Sequence, residues 1–433
     1  MFHSIEECTN FIFQLKASQY KGQPLEAVRI ILQELGNPHL EINMIHFAGS
    51  NGKGSTLNAT REILMTHGLQ VGAFTSPHLE RANERVTINK SQISDEKFLQ
   101  YANIVSEVIE EKLEGKYPTF FEVMMLIAFQ HFAHEQVDVA LIETGIGGRI
   151  DSTNVITPKV SVITTISLEH TEILGDTYEK IAFEKAGIIK QDIPVVVGVK
   201  NKKALNVIEQ KANKMESAIY ELGKEIQLTN VKKGDPQYFT YHFLNNSIND
   251  IPLSMAGEHQ IDNAALAISA SLLFDSTISE EAIRYALKRA KWEGRFEKLG
   301  NGVIIDGAHN SEGTGALIST LLETEPNKKY KFIYAALQDK DHQKSIEMMD
   351  KVAHKMCFTE ISLPRRAQAE LLAAQSHHTN ISVDNNWKQL VEDELNHLNE
   401  TDELLVITGS LYFIAEVRQY LLSMNNRKKD NSL

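Results

Sequence analysis

The residues best able to do chemistry in this 433-residue chain lie in one run, His46-Phe47-Ala48-Gly49-Ser50-Asn51-Gly52-Lys53-Gly54-Ser55-Thr56. An apolar, strand-like segment leads into it, and a helical pattern leaves it and ends near Gly68. Glycines let the backbone approach a ligand closely. Successive N–H groups at such a turn converge on anions, and a lysine adds a point charge for β and γ phosphates. The order implies a nucleotide held by Gly49, Ser50, Asn51, Gly52, Lys53, Gly54, Ser55 and Thr56; a glycine turn without a ligand is the alternative. The run departs from GxxxxGK[ST], because Phe47 stands five positions before Gly52 and Gly54 separates Lys53 from Ser55. With the hydroxyl displaced, a phosphate-bridging Mg²⁺ must draw oxygen ligands from elsewhere, since that ion demands near-octahedral oxygen coordination.

Glu143 is a second such residue. It ends the run Val139-Ala140-Leu141-Ile142, which sets its carboxylate at the C-terminal edge of a sheet, a metal-binding position by geometry. Gly145, Gly147 and Gly148 follow and keep the backbone open for a ligand, although an acid at a strand end is often only solvated.

The elements that must position these groups follow a βαβ rhythm, which predicts a parallel sheet covered by helices. Strand-length apolar runs are Ile42 to Phe47, Leu69 to Phe74, Val137 to Ile142, Lys159 to Ile166 and Pro194 to Val199. Thr119 to Phe132 is apolar nearly all round and reads as a buried helix. From Ser217 to Ser254 short alternating segments and turn signals predict a small antiparallel insert. A helical run then extends from Asn263 to about Ala290. After Trp292-Glu293-Gly294-Arg295-Phe296 the alternation restarts with Val303 to Ile305, Lys331 to Ala335, Met356 to Ile361 and Leu404 to Ile407, a smaller second α/β domain. The expected division is 1–296 for nucleotide binding and 297–433 for the second domain.

Bulk properties narrow the function. Hydrophobic residues at 42% and charged residues at 23% suit a globular protein, and 433 residues exceed one core. A net charge of −13 argues against a nucleic-acid surface, which needs a clustered positive face. The basic run Arg427 to Lys429 reads as a solvated end. Cys8 and Cys357 are far apart and form no metal-ligand spacing, as in a reducing cytoplasm. Neither a basic leader nor an apolar run of membrane-spanning length stands out, so a cytoplasmic protein is expected.

The order of short motifs resembles the folylpolyglutamate synthase and dihydrofolate synthase family of the Mur ligase superfamily over nearly the whole chain. The matching segments are Gly49 to Thr56, Thr75-Ser76-Pro77-His78-Leu79, Phe120-Phe121-Glu122, Glu143 to Arg149, Ser167-Leu168-Glu169-His170-Thr171 and Glu184-Lys185-Ala186-Gly187. They continue through His259-Gln260, Asn263-Ala264-Ala265, Gly294-Arg295-Phe296, Asp306-Gly307-Ala308-His309-Asn310 and Thr408 to Tyr412.

The resemblance implies a P-loop-containing Mur-ligase-like α/β domain with a mainly parallel sheet and antiparallel insert, followed by a Rossmann-like α/β domain. It implies that ATP phosphorylates a pterin or folate carboxylate and that the amine of L-glutamate displaces phosphate. Ser76, Glu143 and His170 are implied as ligands for two Mg²⁺ ions, and Lys185 as a carbamylated support for the second. Asn263, Arg295 and Asp306 are implied nucleotide contacts, and His309 and Ser410 lie around glutamate and phosphate. Phe121, Glu122, Arg149, Asp151 and Ser152 fall on the pterin side. By residue type alone, Ser76 is a turn residue, His170 an exposed histidine, Lys185 a solvent-facing helix charge, Arg295 a linker ion pair, Asp306 a turn acid and Phe121 core. His309-Asn310 reads equally as a helix cap. The expected partners are small molecules only, with no nucleic acid or membrane, and the chain is expected to be monomeric. Two competing functions are a Mur-type ligase of cell-wall precursors and an ATP-hydrolysing switch protein.

Overall fold

Outside the insert and the sheet edges, most strands of the described chain are preceded by helical segments, and that alternation governs the architecture. In the computed structural model, which describes residues 1–300, 302–338, 342–399 and 402–430 (side chains of 425–430 excepted), the chain forms two compact units. The first comprises Met1–Val231, Tyr238–Leu253 and Gln260–Ala290; the second comprises Lys232–Gln237, Ser254–His259 and the chain from Lys291 onward.

The first unit carries β1 (Met44–Ala48), β2 (Val71–Phe74), β3 (Val86–Ile88), β4 (Ser91–Gln92), β5 (Val139–Glu143), β6 (Val160–Ile163), β7 (Val195–Val197) and β8 (Ile219–Glu221). They form one sheet in the order β4-β3-β2-β5-β1-β6-β7-β8. From β2 to β8 the pairing is parallel, and β3 and β4 add an antiparallel edge. Every residue of β1, β2, β5 and β6 is buried, as expected of parallel strands covered on both faces. The apolar run after Thr119 forms the helix Phe120–His134 and packs with the N-terminal helices against one face. Phe129 and Phe132 in it are fully buried, each contributing about 1.5–3 kcal/mol of apolar burial.

Two expectations shift. Ile219–Glu221 does not join the antiparallel insert: it follows the helix Lys202–Lys214 after β7 and pairs parallel with it, as a strand-helix-strand crossover must. The insert proper is a three-stranded sheet of β9 (Ile226–Lys232), β10 (Gln237–Phe243) and β11 (Asn246–Leu253) in consecutive order. The run from Asn263 to Ala290 is two helices, Glu258–Phe274 and Glu280–Arg289, because Asp275 to Thr277 form a turn and Ser279 caps a new N-terminus.

The second unit holds β12 (Glu297–Lys298), β13 (Val303–Ile305), β14 (Lys329–Tyr334), β15 (Ala353–Phe358), β16 (Ile381–Val383) and β17 (Glu403–Thr408). Their order is β12-β13-β17-β14-β15-β16, parallel except for β12 against β13, with apolar clusters on both faces. The side chains of Arg427 to Lys429 lie outside the described residues. Among the described residues, no helix is long and apolar enough to cross a membrane.

Candidate active site

The loop between β1 and the helix Lys53–Thr66 is pinned from the end of β6. Thr164 Oγ1 and Thr165 Oγ1 donate to the Asn51 carbonyl at 2.6 and 3.1 Å, and Asn51 N–H donates to Thr165 Oγ1 at 2.9 Å. Ser167 N–H donates to Ser50 Oγ at 2.9 Å. Gly49 has φ 149°, and a Cβ there would lie 1.9 Å from Thr164 Oγ1. Gly52 has φ 88° and caps the helix; its missing Cβ leaves room for Asn263 Oδ1, which would otherwise lie at 2.4 Å. Asn263, buried in Glu258–Phe274, also accepts from Thr56 Oγ1 at 3.3 Å. The loop and Asn263, more than 200 residues apart in sequence, therefore share one site.

Lys53 opens the helix and donates to the Gly49 carbonyl at 2.9 Å. Lys185 Nζ reaches the same carbonyl at 2.8 Å and Glu169 Oε1 at 3.0 Å. Lys185 is only 2% exposed, so the solvent-facing reading of its helix position is overturned by packing. Burial, with Lys53 nearby, brings its amine down to about 8 in spite of Glu169. Burial would raise the Glu169 carboxyl, but Lys185 and Lys53 hold it at about 2. Two ammonium groups thus converge where a triphosphate would add negative charge.

Register sets Glu143 opposite Phe47, at the C-terminal end of β5 beside the strand that launches the loop. Its side chain is buried, and Oε2 accepts Ser76 N–H at 3.0 Å, which brings two of the three predicted metal ligands together. His170 follows β6 and caps the short helix Thr171–Leu174 with φ 47°. No group of three or more His, Cys, Asp or Glu able to hold a metal occurs among the described residues. What fits Glu143 and Ser76 is a hard cation that keeps waters and takes its other oxygens from phosphates, as Mg²⁺ does.

The pterin-side candidates are held as follows. Phe121 is half-buried and lies 5.3 Å from the Phe74 ring. Glu122 Oε2 accepts from Thr119 N–H and Oγ1, each at 2.7 Å, in a capping box. Arg149 pairs with Glu184 at 2.9 Å over the Phe183 ring. Asp151 accepts from Gly145 N–H and Ile146 N–H on one oxygen and from Thr153 N–H and Oγ1 on the other, while burial pushes its carboxyl up against those donors. Ser152 begins the turn Ser152–Val155.

In the second unit several side-chain contacts are local. Asp306 accepts Phe296 N–H and Ala308 N–H at 2.8 Å each; burial raises its carboxyl and the Arg295 guanidinium opposes that rise. Arg295 donates to Gly294 O at 3.3 Å. His309 Nδ1 lies 3.1 Å from Gly307 O, and Asn310, not His309, caps Ser311–Thr324. Ser410 Oγ accepts Tyr412 N–H at 3.2 Å. Sequence reasoning missed Glu169, Thr164 and Thr165; the signal was a hydroxyl pair and an acid just past the apolar run of β6, the edge where such sheets bind ligands.

Comparison with known proteins adds two family matches. Residues 47–271 match the Mur ligase middle domain, and residues 294–411 match the Mur ligase glutamate ligase domain. A dihydrofolate synthase/folylpolyglutamate synthase of Bacillus subtilis is 36% identical over 97% of this chain and 100% of its own length. The crystal structure of a folylpolyglutamate synthase from Thermotoga maritima superposes with TM-score 0.83 at 34% identity, covering 96% of each chain. E. coli FolC in complex with DHPP and ADP superposes with TM-score 0.89 at 25% identity, covering 98% of each.

Proposed function

This chain belongs to the folylpolyglutamate synthase/dihydrofolate synthase family of Mur ligases, and from that premise we propose how its residues carry out the reaction. It is an ATP-dependent ligase that joins L-glutamate to a folate-type carboxylate. Extension of folate is the proposed principal reaction, with dihydropteroate as a second acceptor. The carrying observation is the register of Phe47 with Glu143, which sets the phosphate loop and a buried carboxylate side by side at one sheet edge.

In the proposed cycle, the N–H groups of Gly49 to Ser55 cradle ATP, and Lys53 turns from the Gly49 carbonyl to the β and γ phosphates. A substrate carboxylate oxygen attacks the γ phosphorus and ADP leaves. The glutamate amine then attacks the acyl phosphate, and collapse of the tetrahedral adduct forms the amide, phosphate and a proton. Bound Mg²⁺, two ions on the family's pattern, would be held by Glu143, Ser76 and His170 and would neutralise charge on the transferring phosphoryl group. Lys185 is proposed to carry a carbamate or, unmodified, to face phosphate as a cation; its lowered amine supports the first. Asn263, Arg295 and Asp306 are proposed for nucleotide, His309 and Ser410 for glutamate and phosphate, and Phe121, Glu122, Arg149, Asp151 and Ser152 for the pterin side. The proposed functional division stays at 296/297, and the enzyme is proposed to act as a cytoplasmic monomer.

ADP release with glutamate, comparing tetrahydrofolate, dihydropteroate and no pterin, tests the reading. Release must depend on the pterin acid; equal release without it would replace the ligase with an ATP hydrolase.

A further inference from the structure

Beside the phosphate loop lies a buried polar chain, two of whose members, His46 and Thr153, have no part in the proposed reaction. His46, in the middle of β1, sets Nε2 2.8 Å from Thr153 Oγ1, and both side chains are fully buried. Thr153 Oγ1 lies 2.6 Å from Asp151 Oδ1, which can only accept as a carboxylate. A hydroxyl has one proton. Given to Asp151, it leaves Thr153 as the acceptor, so His46 must carry its proton on Nε2. His46 Nδ1 is then a bare lone pair, which agrees with its having no hydrogen-bond partner among the described residues; a buried orphan N–H would be the rarer state. Burial, with Lys190 nearby, pushes His46 down to about 3, so the ring stays neutral.

The far end of the chain is the segment after Glu143. Asp151 Oδ2 accepts Gly145 N–H at 2.9 Å and Ile146 N–H at 3.0 Å, and Oδ1 accepts both Thr153 donors. All four of its lone-pair directions are engaged inside the protein. Phe47, next to His46, accepts Thr144 N–H on its carbonyl at 2.9 Å. Two consecutive residues of β1 therefore hold the backbone after Glu143 from two sides, one by main chain and one through Thr153 and Asp151.

We infer that His46 and Thr153 are positioning residues of the ligase, forming a relay through Asp151 that fixes the Glu143 loop against the strand that launches the phosphate loop. The inference rests on the proposed roles of Lys53 and Glu143. Asp151 acts through this loop in addition to shaping the pterin side.

Two measurements test it. Ring ¹⁵N NMR of His46 reports the tautomer whatever the substrate: Nε2–H with bare Nδ1 is expected, and Nδ1–H overturns the relay. Steady-state kinetics with ATP, glutamate and the pterin acid then compare Thr153→Val with Thr153→Ser, and His46→Leu with His46→Gln. Loss of the relay is expected to lower kcat about 10–100-fold, in the range of lost outer-shell partners, while KM for ATP stays within about twofold. Thr153→Ser keeps the hydroxyl and His46→Gln keeps a donor, so both are expected to recover most of kcat. Wild-type kcat in Thr153→Val, with or without a lower melting temperature, overturns the positioning role. If the wild-type enzyme shows no pterin-dependent ADP release, the functional reading falls, and the NMR result still judges the relay.

Discussion

The two units hold their candidate residues in different ways. In the first, the phosphate loop and the helix it opens are tied to distant parts of the chain: Asn51 to Thr165 across 114 residues, Gly49 to Lys185 across 136, Thr56 to Asn263 across 207. In the second, the side chains of Asp306, His309 and Ser410 bond to near neighbours, with Ala308, Gly307 and Tyr412 each two residues away and Phe296 ten, while the Asp306 N–H reaches the distant Ile407 carbonyl as part of the sheet. Long-range ties fix a site only once the whole sheet has formed, and they leave it preorganised for charge. Local ties shape a strand end or a helix start and can be exchanged for a substrate with little disturbance. The first unit thus reads as a rigid charge-handling frame, and the second as a set of capped ends.

The largest test of that difference is Lys53→Ala or Glu143→Ala. Each is expected to cost turnover at least about 10³-fold, on the scale of a lost transition-state charge contact, with the melting temperature nearly unchanged. Turnover near wild type in either variant would remove the charge-handling role. Next comes Glu169→Ala, which leaves buried Lys185 without its carboxylate partner and is expected to destabilise the first unit by about 3 kcal/mol. Denaturant unfolding measures this, and a shift below about 1 kcal/mol would place the pair among weak surface bridges.

How far the sequence foretold this division depends on range. The loop Gly49 to Thr56, the strands around it and the strand-end position of Glu143 were legible because they rest on local patterns: apolar runs, glycine spacing and helix starts. Helix-capping by Asn310 was legible for the same reason. Burial of Lys185 was not, since helix Tyr178–Lys185 reads as amphipathic and only packing against the Gly49 carbonyl and Glu169 draws the amine inside. Thr164, Thr165 and the His46 relay also escaped, because each owes its role to a partner about 100 residues away. Ile219–Glu221 misled for a topological reason: its alternation matched the insert, but the crossover helix before it committed it to the large sheet.

Acid separates the units further. In the first, burial lowers His46 to about 3 and, with Arg85, His78 to about 4; burial also lowers His131 to about 4 despite Glu135. In the second, burial and Arg295 lower His259 to about 4. A folded pKa below the unfolded value near 6.5 means the unfolded chain binds more protons, so stability is whole above about pH 6.5 and falls as pH drops toward 3 or 4. Each such histidine costs on the order of 1–2 kcal/mol by pH 5, most for deeply buried His46 and His259 and less for His78 and His131, which solvent screens in part. Among the described residues such shifts fall on His39, His46, His78 and His131 in the first unit and on His259 in the second, so the first unit is expected to lose amide-exchange protection at the higher pH. His46→Gln should delay that loss; equal acid sensitivity in both units would show that carboxylates govern instead.

The finest distinction lies between two helix starts of the second unit. Asn310 accepts Gly313 N–H at 2.8 Å as the N-cap of Ser311–Thr324, and Ser410 accepts Tyr412 N–H at the start of Leu411–Asp430. As caps alone, either change to alanine costs about 1 kcal/mol of stability and nothing in turnover. Asn310→Ala is expected to behave so. Ser410→Ala is expected to match it in melting temperature but also to raise KM for glutamate, because its hydroxyl is proposed to exchange the Tyr412 N–H for substrate. If both variants lose stability alone, Ser410 is a cap and the glutamate contact belongs to other residues of that strand end; a KM effect in Asn310→Ala as well would make the helix N-terminus itself the binding element.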